Sequence, residues 1–108
     1  IYDVNKTLTK KDVAKNARKD AKKGKKVLVV TSRPETQRKD TEQFLKENKI
    51  PASKVLMRPK GNEKKDAKVK KSIYKKDIKS KYAVEKAYDD KRSNVKMFRK
   101  EGIKTKEV

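Results

Sequence analysis

The side chains able to do chemistry fall into four short stretches: Asp3-Val4-Asn5-Lys6-Thr7, Thr31-Ser32-Arg33, the lysine-rich segment around Lys70, and Asp89-Asp90. The chain contains no Cys and no His, which excludes thiolate nucleophiles, imidazole bases, disulfides and nearly every zinc site. What remains is a carboxylate nucleophile, a hydroxyl, a cation and an acidic pair, a set that can also hold a hard metal ion through oxygen. Three of the four stretches directly follow an apolar run. In a parallel α/β sheet, functional groups gather at the carboxyl ends of the strands, so the four would converge on one edge.

The elements that must position them can be read from hydrophobic spacing. Val27-Leu28-Val29-Val30 is a continuous β-branched and aliphatic run, as expected for a parallel strand covered on both faces. Weaker strand signals lie at Ile1-Tyr2, Val55-Leu56-Met57, Tyr82 to Tyr88 and Ile103 to Val108. Between them the pattern predicts helices at 10–23, 34–48, 63–79 and 91–101. Thr41, Phe44, Leu45 and Asn48 form an inward stripe on the second helix, and Val69, Ile73, Tyr74 and Ile78 one on the third. The first helix offers only Val13, Ala14, Ala17 and Ala21, so it should be the least stable. Gly24 and Gly102 follow helix ends, where a left-handed cap suits glycine, and Pro34 opens a helix. Arg58 to Asn62 reads as an irregular loop. The expectation is a single α/β domain over 1–108: three layers, a Rossmann-like parallel sheet of about five strands with helices on both faces.

The charge is extreme. Lys plus Arg total 35 against 15 acids in 108 residues, for a net charge of +20. It is no basic tail, since residues 1–54 hold 16 basic against 7 acidic and residues 55–108 hold 19 against 8. Anionic partners are implied, nucleic acid first among them. The excess is nearly all Lys, which attracts phosphate without reading sequence, whereas base edges favour the Arg fork. A solvated lysine coat or deliberate supercharging would give the same composition. No apolar run approaches the roughly 18–20 residues of a bilayer crossing, and no charged-then-apolar segment opens the chain. The expectation is no membrane and a cytoplasmic location, a host's cytoplasm for a viral protein.

The ordered stretches resemble the haloacid dehalogenase (HAD) superfamily of phosphatases, and within it the 3′-phosphatase domain of phage polynucleotide kinase. That family's Asp-x-Asp-Gly-Thr motif is matched at its first and last positions by Asp3 and Thr7. Its strand-ending Ser or Thr is matched by Thr31, its lysine by Lys70 in Lys65-Asp66-Ala67-Lys68-Val69-Lys70, and its acidic motif by Ala87-Tyr88-Asp89-Asp90-Lys91. Val95 to Ile103 continues the likeness. The resemblance implies a HAD-like fold without a cap domain, a Mg²⁺ cofactor and an aspartyl-phosphate formed on Asp3. It implies a metal site of Asp3, the Asn5 carbonyl and one or both of Asp89 and Asp90. Thr31 and Lys70 would bind phosphoryl oxygens, with Lys71 the alternative lysine, and Ser32, Arg33 and Lys6 would contact substrate. Thr31 could equally cap the second helix. An open site suits large substrates such as polynucleotide 3′-phosphate ends.

Two positions depart from the pattern. Asn5 stands where the family has the acid/base Asp, and an amide cannot transfer that proton, a loss of roughly 10²–10⁴-fold. Lys6 replaces a turn glycine. Lys86 within the fourth strand and the short run before Asp3 add to the picture of a diverged, truncated or engineered member. The sequence therefore supports an impaired phosphatase. The alternatives are a non-catalytic basic module that binds nucleic acid or other polyanions, or an engineered supercharged chain.

Overall fold

The computed structural model describes all of residues 1–108. Four strands are present: β1 (Val27–Pro34), β2 (Ala52–Arg58), β3 (Ala87–Asp89) and β4 (Thr105–Glu107). Four α-helices accompany them: α1 (Lys11–Lys22), α2 (Arg38–Glu47), α3 (Asp66–Ile73) and α4 (Arg92–Lys100). The strands form two parallel pairs, β1 with β2 and β3 with β4, in place of the expected sheet of about five strands. The first apolar run forms no strand of its own. It contributes Tyr2, which bridges in parallel to Val29 on one side and Tyr88 on the other. Four bonds join the pairs there: Tyr2 N–H to Leu28 O (2.8 Å), Val30 N–H to Tyr2 O (2.9 Å), Tyr88 N–H to Ile1 O (2.8 Å) and Asp3 N–H to Tyr88 O (3.1 Å). Beyond Asp3 the backbone leaves the extended region, with Lys6 at φ 52°, so pairing stops.

The layering follows from alternation along β1. Leu28 and Val30 pack with Val69, Ile73, Ile78, Met97 and Phe98 under α3 and α4, and Val27 and Val29 pack with Val13, Ala14, Ala17 and Leu45 under α1 and α2. Both faces of the strand are thus covered, as its unbroken apolar run requires. Several boundaries differ from the sequence expectation. β1 continues through Thr31-Ser32-Arg33 to Pro34, so α2 is preceded by a 3₁₀ turn, Glu35–Gln37, and begins four residues later than expected. Thr31 accordingly caps no helix. The predicted 63–79 helix is α3 followed by a wider turn, Tyr74–Ile78. Only Ala87–Asp89 of the fourth run pairs, which leaves Lys86 outside the strand, exposed, with Nζ 5.3 Å from the Tyr88 ring centroid.

Helix α1 buries little apolar surface, and its polar residues attach it to the sheet. Tyr2 and Tyr88 stack with centroids 4.5 Å apart. The Tyr2 hydroxyl donates to Asp20 Oδ2 (2.6 Å), and Asn16 Nδ2 donates to both tyrosine hydroxyls, each at 2.8 Å. Burial and the Asp20 carboxylate push the Tyr2 hydroxyl's pKa up, which keeps it a donor. Spacing Asn16 and Asp20 four apart puts both on the tyrosine side of the helix.

Three helices end in the same left-handed cap, in which an N–H returns to the carbonyl five residues earlier: Lys25 to Asp20, Ile50 to Leu45, and Ile103 to Phe98. Gly24 (φ 83°) and Gly102 (φ 85°) occupy the left-handed position of two, and Lys49 (φ 54°) that of the third. A side chain in this conformation costs roughly 1 kcal/mol. Lys49→Gly should therefore stabilise the fold by about 1 kcal/mol, and Gly24→Ala, with nothing near its missing Cβ, should destabilise it by a similar amount. Urea unfolding midpoints would measure both.

Candidate active site

The centre of the site is a buried ammonium between two carboxylates. Lys70 lies on α3 one residue beyond the core residue Val69 and is 1% exposed. Its Nζ is 2.6 Å from Asp89 Oδ2 and 3.0 Å from Asp3 Oδ1. Asp89, the last residue of β3, is fully buried, and its Oδ1 accepts from the Lys91 N–H (3.0 Å) and Asn94 Nδ2 (3.3 Å). Asp90 follows at the rim, half-buried. Carboxylate oxygens of Asp3, Asp89 and Asp90 all come within 4.8 Å of one another. Three acids thus face one lysine, and the neighbouring Lys71 is exposed.

Burial is the strongest influence on Asp3 and raises its pKa from 3.8 to about 6, with Asp89 adding to the rise and Lys70 opposing it. Asp3 follows the bridging residue Tyr2 directly, so its position is tied to both strand pairs. The loop after it is closed by the Leu8 N–H on the Asp3 carbonyl (3.3 Å). Thr7 is fully buried in that loop, while Asn5 and Lys6 are exposed. Lys6 at φ 52°, ψ 14° holds the left-handed conformation for which a glycine would be unstrained.

The remaining candidates lie at the end of β1. Thr31 is buried, and its Oγ1 accepts the Arg33 N–H (3.2 Å). Arg33 reaches the Asp3 loop: Nε and Nη2 both donate to Asn5 Oδ1 (3.1 and 2.8 Å), while Nη1 donates to the buried Thr41 Oγ1 (3.2 Å). Asn5 therefore faces Arg33, with no hydrogen bond to the Lys70 cluster. Ser32 gives its carbonyl to Arg58 Nε (2.8 Å).

Three residues at this edge escaped the sequence reading. Arg58, the last residue of β2, donates to the Asn62 carbonyl (3.0 Å), the Lys64 carbonyl (2.6 Å) and Asp66 Oδ1 (2.7 Å), so it organises the loop that delivers α3. Asp66, at the start of α3, also meets Lys91 Nζ at 3.0 Å. Burial would raise its pKa, but Lys91, Arg58 and the Ser32 hydroxyl outweigh that and lower it. Asn94 steadies Asp89. The signals for the first two were an Arg ending an apolar run and an Asp in a helix's first turn.

The Asp3 shift has a consequence for stability. With its pKa raised in the folded state, the folded chain holds this proton more tightly than the unfolded one, so the benefit is full below about pH 4 and lost as pH rises through about 6. In the metal-free chain, Asp3→Asn should remove a fall in stability between pH 4 and 6 of order 1–3 kcal/mol. Wild-type and variant urea curves in chelator across that range would show it.

The model of one family matches the chain over residues 1–108: the polynucleotide kinase PNKP phosphatase domain. No curated protein sequence matches. Among solved structures, a chain of the Pnkp1/Rnl/Hen1 complex superposes with a TM-score of 0.92 at 27% identity, covering 99% of this chain and 44% of that one. A chain of the Pnkp1/Rnl/Hen1 RNA repair complex superposes with a TM-score of 0.95, again at 27% identity, covering 99% of this chain and 40% of that one. The chain thus spans less than half the length of either. No helix is long and apolar enough to cross a membrane. With its buried lysine joining the Asp3 and Asp89 stretches, and the family match running end to end, the chain belongs to the polynucleotide kinase phosphatase-domain family, of the HAD phosphatase type.

Proposed function

We propose that this domain is a Mg²⁺-dependent phosphomonoesterase site for 3′-phosphorylated polynucleotide ends, with RNA the leading substrate, and that its turnover is limited by Asn5. The observation that carries this reading is Lys70, held 3.0 Å from Asp3 and 2.6 Å from Asp89 in a nearly solvent-free site. The RNA repair assembly of a structurally similar chain favours RNA and suggests protein companions. A cytoplasmic setting goes with that reading.

The donor set fits a hard divalent cation. Three carboxylates opposed by one ammonium leave excess negative charge, and all the available donors are oxygens. Asp3, the Asn5 carbonyl and one or both of Asp89 and Asp90 would hold the ion, with Asp89 also orienting Lys70. When bound, Mg²⁺ would polarise the phosphoryl group and screen repulsion between two anions.

The residues then have separable tasks. An Asp3 oxygen attacks phosphorus, the P–O ester bond breaks, and Asp3 carries the phosphoryl group while the alcohol departs. Lys70 and the Thr31 hydroxyl would stabilise charge on the phosphoryl oxygens. The departing alkoxide needs a proton, and the water that later cleaves the acyl phosphate must lose one. Asn5 can do neither, so both transfers fall to solvent. Lys6, exposed, and Ser32, half-buried, would meet the polynucleotide.

Restoring the carboxylate should restore the step. Asn5→Asp is expected to raise kcat for a 3′-phosphorylated oligonucleotide by about 10²-fold or more. Combined with Lys6→Gly, which relieves the left-handed strain, the gain should be larger, and Asp3→Asn in the same background should abolish it. A double variant that releases no phosphate would make the domain a binder.

The +20 charge and Asn5 together favour a second reading, a basic module that holds polyanions without turnover. Either way, phosphate contacts dominated by Lys predict binding that weakens steeply with salt, by about 10³-fold or more between roughly 50 and 200 mM for six or more contacts. An affinity flat across that range would sink the polyanion model.

A further inference from the structure

Arg33 makes an unusual choice of partners. Its guanidinium can only donate, and two of its N–H groups converge on one atom, Asn5 Oδ1, at 3.1 and 2.8 Å. The other end of the fork is anchored on Thr41 Oγ1 at 3.2 Å, and Thr41 is fully buried on α2. Its backbone N–H is fixed on Thr31 Oγ1 at 3.2 Å. The plane of the fork is therefore set by three elements: the end of β1, helix α2 and the loop after Asp3.

This geometry decides which way the Asn5 amide faces. An atom that receives two guanidinium N–H groups must be the oxygen. The amide nitrogen is then turned away from Arg33, and it has no acceptor within the protein on the exposed side of the loop. We propose that Arg33 is a positioning residue, which holds the position-5 side chain so that Asn5 presents its two Nδ2 hydrogens to the phosphate of a 3′-phosphomonoester. The proposal rests on reading the site as a pocket for such ends. It makes Asn5 a phosphate donor in place of a proton carrier, and it makes Arg33 act through Asn5 with no phosphate contact of its own.

The test uses the 108-residue chain and two RNA oligonucleotides of one sequence, one ending in a 3′-phosphate and one in a 3′-hydroxyl. The Asn5 Nδ2 signals in ¹⁵N-resolved NMR should be well separated in the free wild type and should move on adding the phosphorylated RNA, but not the hydroxyl form. Arg33→Gln should collapse them toward free-amide positions and lower the ratio of affinities for the two RNAs by about tenfold, the effect of one charge-assisted hydrogen bond. Arg33→Lys keeps the charge and loses the fork, so it should behave alike. Asn5→Ala should lower the ratio by a similar factor, and the Asn5→Ala, Arg33→Gln pair should fall no further. Losses that multiply in the pair would place Arg33 on the phosphate itself and overturn the proposal, as would Nδ2 signals left in place by Arg33→Gln. A wild type with no preference for the phosphorylated end would instead overturn the pocket reading on which it rests.

Discussion

The rest of the structure depends on the placement of one charge, the ammonium of Lys70. Taking it and two carboxylates out of water carries a penalty of several kcal/mol per ion, and the site tolerates this because the distances are short and Asp89 also accepts from the Lys91 N–H and Asn94. Each partner belongs to a different element. Lys70 requires the register of α3, Asp89 requires β3 to end where it does, and Asp3 requires the bridge at Tyr2 that joins the two strand pairs. Removing the lysine would leave two buried acids facing each other. The same contact thus ties α3 to β3 and to the segment that bridges the strand pairs, and assembles the site.

Around that contact the fold economises on apolar surface. Only 31% of the chain is hydrophobic, and nearly all the large apolar side chains are spent on β1, on the inward faces of α3 and α4, and under α1 and α2. Polar links supply the remaining attachments. Asn16 and Asp20 tie α1 to the stacked tyrosines, and Arg58 ties β1, the 59–65 loop and α3 together through three carbonyls and Asp66. Such links are directional, so they fix geometry where a thin core alone would leave it loose. The lysines remain at the surface, Lys70 excepted.

This division explains what could be read from the sequence. The layers were legible because β1 is apolar on both faces and because Val69 with Ile73, and Tyr74 with Ile78, stand four residues apart. Three of the four site stretches were legible because each directly follows an apolar run, whereas Lys70, inside α3, was placed by the resemblance of its segment to the family's lysine motif. The one-residue contribution of Tyr2 to the sheet was not, since a bridge supported by neighbours on both sides has no periodicity of its own. Nor was the continuation of β1 to Pro34: Thr31, Ser32 and Arg33 span an irregularity in the ladder, and pairing resumes only at Pro34 opposite Arg58, whose side chain also holds the Ser32 carbonyl. Partners distant in sequence, such as Arg33 with Asn5 and Asn16 with Tyr88, leave no local signal either.

The burial of the motif residues bears on how matches and departures should be weighed. Asp3, Thr7, Thr31, Lys70 and Asp89 are all less than 10% exposed, whereas Asn5 and Lys6, the two departures, face solvent. Lys70 cannot be replaced singly without stranding Asp3 and Asp89, at a cost of about 3–5 kcal/mol, which rivals the whole stability of a small domain. An exposed Asp can become Asn, and a turn Gly can become Lys, for about 1 kcal/mol or less. The buried frame is therefore held by folding as much as by chemistry, and its presence alone does not demonstrate turnover. Under the proposed mechanism catalytic competence turns on the exposed positions, which the fold leaves free to change, and there the chain carries an amide held by an arginine fork and a lysine in a glycine's conformation.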